Sequence, residues 1–300
     1  MRLVLKSSAV LLFGVLHVLG AVSPASAQVP VPLSVTGNQA RGTIELPGGI
    51  GAELTISFEA VIGLHPDALE VSATLVDPTD PDLLARLPGI QESSVPGLLG
   101  GLVTTLSYQV TIPPAFPVVV RIDPSPSSAL SFAGVATVSF YTHNLNLDPA
   151  VPMALYKAHA GGPFFDITVI EGRGSYRAGG GGGDFSEFLI VIDTRPMDDV
   201  IVGKFGALQS LLDDHAGSIP AAVASLLQQH VSAAQTLYQS GATLAAIGEL
   251  RAFSNYVAAR SGKDIPDVWR ANDPSRVNVA GLLRSAADTL RFSLDRKASR

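Results

Sequence analysis

One stretch, 164–196, limits what this chain can fold into, because the spacing of apolar residues changes across it. Two apolar runs, Phe164–Ile170 and Phe185–Ile192, flank a short polar segment and five consecutive glycines, Gly179–Gly183. β-Branched and aromatic residues bounded by glycine read as strands joined by turns. Upstream, apolar residues alternate with polar ones. Downstream of Pro196 they recur at helical spacing. No helical pattern of any length interrupts the upstream part, which argues against a parallel α/β sheet. The predicted fold class is therefore α+β in two parts: an antiparallel β-sandwich, then a small helical bundle of three to four helices. A flattened barrel is the second choice for the β part.

The alternation is clearest in Ala52–Ile62. There Leu54, Ile56 and Phe58 alternate with Glu53, Thr55, Ser57 and Glu59, so one face is buried and the other wet. Further strands are predicted at Gly42–Leu46, Leu69–Val76, Leu102–Ile112, Val118–Ile122, Ala129–Tyr141, Met153–Ala158 and Gly174–Ala178. Leu83–Leu87 reads as a single helical turn and Pro88–Gly101 as a loop. The five glycines lack the Gly-Lys-Ser/Thr of a phosphate loop and read as a mobile hairpin tip.

In the helical half, Phe205, Leu208, Leu211 and Leu212 mark a first helix ending near Gly217. Ser218 is its successor's candidate N-cap, with Pro220 in the first turn. The second helix spans about Pro220–Ser240, with Val223, Leu226, Leu227, Val231, Ala234, Leu237 and Tyr238 on one face, and Gly241 is placed to end it. The third runs Thr243–Arg260, with Leu244, Ile247, Leu250, Phe253 and Val257 as its stripe. Lys263–Ser275 reads as a loop whose Trp269 either folds back over the helix ends, the preferred reading, or stands out as an exposed ligand platform. A fourth helix is expected over Val277–Leu290, buried through Val279, Leu282, Leu283, Ala286 and Leu290, and Arg296, Lys297 and Arg300 read as a frayed basic tail.

The N-terminus adds a location. Arg2 and Lys6 form a basic region, Ser7–Val22 is largely apolar, and Ala25-Ser26-Ala27 is a small-x-small cleavage signal. A signal peptide over 1–27, cleaved after Ala27, predicts a periplasmic or secreted protein with no stable membrane span. The expected parts are then a β-sandwich over 28–197 and a helical domain over 198–300. There is no cysteine, so neither disulfides nor thiolate metal sites are available. The β part carries seven basic against sixteen acidic residues, a net of −9. That disfavours nucleic acid, whose phosphates demand clustered Lys and Arg.

Motifs for chemistry are sparse. Asp77, Asp80 and Asp82 form an oxygen-rich loop of the kind that binds extracellular Ca²⁺, but Pro78 and Pro81 break the EF-hand pattern and turn chemistry explains Asp-Pro as well. Asn144, Asn146 and Asp148 raise the same idea. His65, His143, His159, His215 and His230 form no i,i+4 pair and no HExxH. Ser175 is flanked by glycine but sits in no nucleophile elbow. No catalytic, cofactor-binding or metal residue is assigned.

Leu237, Gly241, Ala246, Leu250, Phe253, Val257, Gly262, Lys263 and Ile265 together resemble a FIMAH-type helical module, found appended to exported bacterial proteins. Ala242 departs from that family's polar residue after the first glycine. The β part, with its passage into the helices, is similar to exported bacterial proteins of unknown function. The likeness implies packing, capping and an export context, and no activity. The expectation is a non-enzymatic cell-envelope or secreted protein, a binding or structural module with a protein or polysaccharide partner. The alternatives are a carbohydrate-binding sandwich, against which the 6% aromatic content stands, and a hydrolase whose site is assembled from distant loops.

Overall fold

The computed structural model describes residues 28–299 except 90, 97–102, 126, 149–150, 160, 173 and 274. The expected signal peptide, 1–27, lies outside the described residues.

The strands in chain order are β1 (Gln28–Pro30), β2 (Leu33–Thr36), β3 (Gln39–Leu46), β4 (Ile50–Ile62) and β5 (Leu69–Leu75). A short helix α1 (Pro81–Leu84) follows, then β6 (Gln91–Pro96), β7 (Val103–Tyr108), β8 (Val110–Thr111), β9 (Val118–Pro124) and β10 (Ser131–Asn146). The β part ends with β11 (Met153–Ala158), β12 (Phe165–Asp166), β13 (Thr168–Gly172), β14 (Ser175–Gly182) and β15 (Glu187–Asp193). Then come α2 (Met197–Asp214), α3 (Ala221–Gln239), α4 (Thr243–Arg260), β16 (Val268–Arg270) and α5 (Val279–Ala298).

Two antiparallel sheets make the β part. One runs β1-β5-β9-β15-β11-β12, with β8 also on β15. The other runs β13-β14-β10-β4-β3-β2, with β16 also on β10. Their facing side chains, among them Ile44, Leu54, Ile56 and Phe58 from one and Val71, Val120, Leu155 and Phe188 from the other, share one core. The sandwich expectation holds, as do four helices after it. The first sheet is also covered on its outer side. Leu83 and Leu87 pack there on Ala154, Tyr156, Leu189 and Val191, so β11 is buried on both faces.

The glycine tract is not a hairpin tip. Gly179–Gly182 lie inside β14 and pair with Ser139–Ala136 of β10. A methyl group on Gly180 would stand 2.4 Å from the Ile167 carbonyl oxygen, and one on Gly183 would stand 2.7 Å from that of Asn278. The tract is glycine because neighbours press on it from both sides, and Asn278 is the start of α5. Runs of glycine signal turns or close approach equally well, and here close approach wins.

Helix α5 therefore has two contacts. Val279, Ala280, Leu283, Ala287, Leu290 and Leu294 join the helical core with Phe205, Leu227, Leu250 and Phe253. The opposite side lies on β10, β13 and β14. Asn278 ties it down: its Oδ1 accepts from the Gly281 N–H at 2.8 Å, capping the helix, and its Nδ2 donates to the Gly134 carbonyl at 2.6 Å. Arg284 binds Glu59 through two 2.7 Å hydrogen bonds.

Other expectations are corrected in detail. Pro88–Gly101 contains a strand, β6, which pairs with β7. Leu102–Ile112 divides into β7 and β8, and Phe164–Ile170 into β12 and β13. Lys263–Ser275 contains β16, which pairs with β10 at Ser131–Ala133. That places the Trp269 ring 5.2 Å from Phe132 and 5.5 Å from Phe185, so the tryptophan is packing, as expected, but on the sandwich core and not over the helix ends. Ser218 is not a helix cap; its hydroxyl donates to the His215 carbonyl, and α3 starts after Pro220. Leu244 is not on the buried stripe but 76% exposed, because Ala246 takes the inward position in that turn. Helix α5 runs on to Ala298, so the basic residues before the end are not frayed. Arg296 pairs with Glu171 at 2.9 Å and Lys297 with Asp198. Gly241 does end α3, at φ 84°, with the Ala242 N–H on the Leu237 carbonyl and its own N–H on that of Tyr238.

A candidate binding cavity between sandwich and helices

The change from strand to helix at Pro196 folds α2 back over the end of the sandwich. Between them is a cavity of about 590 Å³. Its walls come from the β11–β12 region (Lys157, His159, Phe164–Ile167), from Gly181 and Gly182 at the end of β14 and Asp184 after it, from α2, and from α5. A smaller cavity of about 190 Å³ adjoins it, and Asp166, Arg195 and Val200 line both.

Asp214 lies exposed on this wall at the end of α2, and the paired charged groups form three sets. Lys204 sits on the apolar face of α2 between Ile201 and Leu208 and is buried. Its Nζ pairs with Asp166 Oδ2 at 2.7 Å and donates to Thr289 Oγ1 at 2.7 Å and Ser293 Oγ at 2.9 Å. Burial pulls its pKa below the usual lysine value, and Asp166 opposes that pull. Asp166 is itself held, with Oδ1 accepting from the Thr168 N–H at 2.8 Å and from its hydroxyl at 2.6 Å.

In the second set Arg195 grips Asp193 with two hydrogen bonds, Nε to Oδ1 at 2.9 Å and Nη2 to Oδ2 at 2.7 Å. The Tyr156 hydroxyl donates to Asp193 Oδ2 at 2.7 Å and accepts from Arg195 at 2.6 Å. Burial alone would raise Asp193, but the hydrogen bonds and charge of Arg195 outweigh it and hold the carboxyl below the ordinary range. Burial, with Asp166 and Asp193 nearby, pushes the Tyr156 phenol far up.

In the third set Lys157, buried near the end of β11, donates to the Asp184 carbonyl at 3.0 Å and pairs with its carboxylate. His159 Nδ1 stands 3.4 Å from the other oxygen of Asp184. Each lysine and arginine of this wall thus already has its carboxylate. The two hydroxyls facing the cavity are also engaged, Ser285 donating to the Gly281 carbonyl at 2.7 Å and Thr289 to that of Thr168 at 3.0 Å. Neither has an imidazole to take its proton.

The residues singled out by sequence lie mostly elsewhere. Asp77 Oδ1 accepts from the Thr79 N–H and hydroxyl at 2.8 and 2.7 Å, which also holds its pKa down, and Asp80 caps α1 by accepting from the Asp82 N–H at 2.9 Å. Asn144 spans the β3–β4 turn, accepting from the Gly51 N–H and donating to the Gly49 carbonyl. Among the described residues, no group of three His, Asp or Glu side chains converges as a metal site would require. His230 pairs with Glu249 at 2.9 Å across α3 and α4. The structure does join two candidates: His143 Nδ1 lies 2.7 Å from Ser175 Oγ. A register shift in β10 between Thr142 and Asn146 brings them together. His143 is exposed and Ser175 half-buried, and the imidazole also meets the Tyr141 ring at 4.9 Å.

Lys157, Asp166, Asp184, Asp193, Arg195 and Lys204 went unnoticed in the sequence. The available signal was a charge inside an apolar pattern: Lys157 in MALYKA, Asp193 ending FLIVID, Lys204 on the stripe of α2.

Among the described residues no helix is long and apolar enough to cross a membrane. Neither a curated protein nor a solved structure matches the chain. A model described as a family of unknown function, DUF6689, matches residues 15–298, running through both the sandwich and the helices. The chain belongs to this family, DUF6689.

Proposed function

We propose that the protein is an exported binding module of the cell envelope or the secreted space, and not a catalyst. The observation that carries this is the cavity at the sandwich–helix junction, whose lysines and arginine are consumed in mutual ion pairs. Binding pockets of this kind are concave, largely apolar and 300–1,000 Å³ in size. The leader over 1–27 supports export, and the FIMAH-like run in α3 and α4 fits a spacer or interaction unit on such a protein. The test has two arms. N-terminal sequencing of protein from the envelope or medium should begin at Gln28; a product retaining Met1–Ala27 defeats export. A broad ester, amide and glycoside hydrolase screen on the mature chain should find no turnover.

A second reading, a serine hydrolase, has one observation behind it, the His143–Ser175 contact. A working dyad needs a third group to orient the base and donors for an oxyanion. Among the described residues no carboxylate lies within ion-pair reach of His143. Reaction with a fluorophosphonate probe, lost in Ser175→Ala, would establish this reading and overturn the first.

A further inference from the structure

We infer that the 590 Å³ cavity takes a neutral, mainly apolar small molecule with one hydrogen-bonding end. This deepens the binding reading and rests on it. Three features point to that class.

The first is apolar surface left without a partner. Phe165 is 44% exposed, and Leu211 and Leu282 are half-buried, all three on the cavity wall. The second is charge balance. Lys157, Arg195 and Lys204 face Asp184, Asp193 and Asp166 one to one. An incoming anion would have to compete with a carboxylate that is already seated, and a cation among these groups with a seated lysine or arginine; Asp214, also on the wall, is exposed at the end of α2, where a surface ion pair contributes little. The loser is left as an uncompensated charge in a poorly hydrated site, which is strongly unfavourable. A neutral molecule leaves all three pairs intact. The third is a small amount of polar capacity. Ser285 uses its proton on the Gly281 carbonyl, so its oxygen remains an acceptor for a ligand O–H or N–H. Beside it, β13 pairs with β14 only as far as Gly180, so the edge of β14 at Gly181 and Gly182 carries no strand on that side. Two such places suit one polar end, and they are too few for a sugar.

Gly203 supplies the test. It lies in the middle of α2 on the cavity wall, and a methyl group there meets nothing within 4 Å. Gly203→Leu fills space the ligand needs while favouring the helix. Gly248→Leu is the control, a helix glycine that is equally open and away from the cavity. The probe is N-phenyl-1-naphthylamine, a neutral fluorophore, titrated into the mature full-length chain. Saturable binding is expected, displaced by dodecanol at least about tenfold better than by dodecanoate or dodecyltrimethylammonium, a difference of ~1.4 kcal/mol. Gly203→Leu should weaken binding about tenfold or more with the melting temperature kept, and Gly248→Leu should not. Ala207→Phe repeats the block on the next turn should Gly203→Leu fail to fold. Absence of saturable binding, preferential displacement by dodecanoate or the ammonium, or full binding by a folded Gly203→Leu chain each overturns the inference. Capture of an envelope protein or polysaccharide in those cases would leave the binding-module reading standing, whereas turnover in the hydrolase screen would remove that reading itself.

Discussion

Gly180→Ala and Gly203→Ala should shift stability in opposite directions. The two changes add the same methyl group. At Gly180 its nearest neighbours would be Ile167 O at 2.4 Å, Cδ1 at 2.5 Å and Cγ1 at 2.6 Å. The isoleucine side chain can rotate away. The carbonyl cannot, because Ile167 is fixed by its own N–H on the Leu155 carbonyl at 2.9 Å. Forcing a methylene into a packed site costs about 1–3 kcal/mol. Alanine recovers roughly 0.5–1 kcal/mol through the lower entropy of its unfolded chain. With a fixed backbone oxygen at 2.4 Å the cost falls in the upper half of that range, and the net is about 1–2 kcal/mol of destabilisation. At Gly203 there is nothing to clash with, and alanine in a helix interior gains about 1 kcal/mol over glycine. For a chain of this size 1 kcal/mol moves the melting temperature by roughly 2–4 °C. Scanning calorimetry on the mature protein should therefore show Gly180→Ala lower by about 2–8 °C and Gly203→Ala higher by about 2–4 °C. A Gly180→Ala protein that melts at or above the parent temperature would mean that the glycine tract is an open tip and that β14 is wrongly placed.

Phe253, fully buried in α4 against the helical core, should cost about 3–5 kcal/mol when cut to alanine; an unchanged melting temperature would mean that the α4 register is wrong. Asp166→Asn leaves Lys204 buried without its counter-ion and should destabilise by about 3–5 kcal/mol, while Asp166→Asn with Lys204→Met should recover much of it; equal melting of both variants would dismiss the pair. The phenols of Tyr156 and Tyr176 are both raised by burial, so their contribution is intact below the unfolded phenol value of about 10 and is lost as pH rises beyond it. Lys204, lowered by burial, acts in the opposite sense but below its ordinary value of about 10.4, so above that pH the phenols alone set the slope among these three groups. Absorbance at 295 nm should show these two tyrosines ionising only together with unfolding; smooth titration of all six tyrosines near pH 10 in a folded chain would refute their burial.

What the sequence disclosed, and what it hid, follows from which interactions are local. Period-two alternation in Ala52–Ile62 and the stripe at Ile247, Leu250, Phe253 and Val257 record which face of an element is buried, and both survive in the structure. Cap chemistry is also local, and Gly241 was placed correctly. The cavity was illegible because it is built from partners far apart in the chain: Asp166 with Lys204, Lys157 with Asp184. A single buried charge announces only that some partner exists. The glycine tract fails for a related reason. Glycine is selected in turns for backbone freedom and in packed strands for the absence of a side chain, and one sequence cannot separate the two. What separates them is the neighbour that a side chain would strike. For Gly183 that neighbour is Asn278, the residue that caps α5. The tract that reads as a hairpin tip in the sequence is thus where α5 docks on the sheet. The same docking sets the distance between α2 and the sandwich, because α2 packs on α5. The cavity between them therefore depends on Gly183, which is not on its wall. Gly183→Val, which would push α5 off the sheet at Asn278, should weaken probe binding and lower the melting temperature together. Gly203→Leu should separate the two effects, removing binding alone. Loss of binding without loss of stability in Gly183→Val would show that the spacing of the cavity is set by something other than the α5–sheet contact.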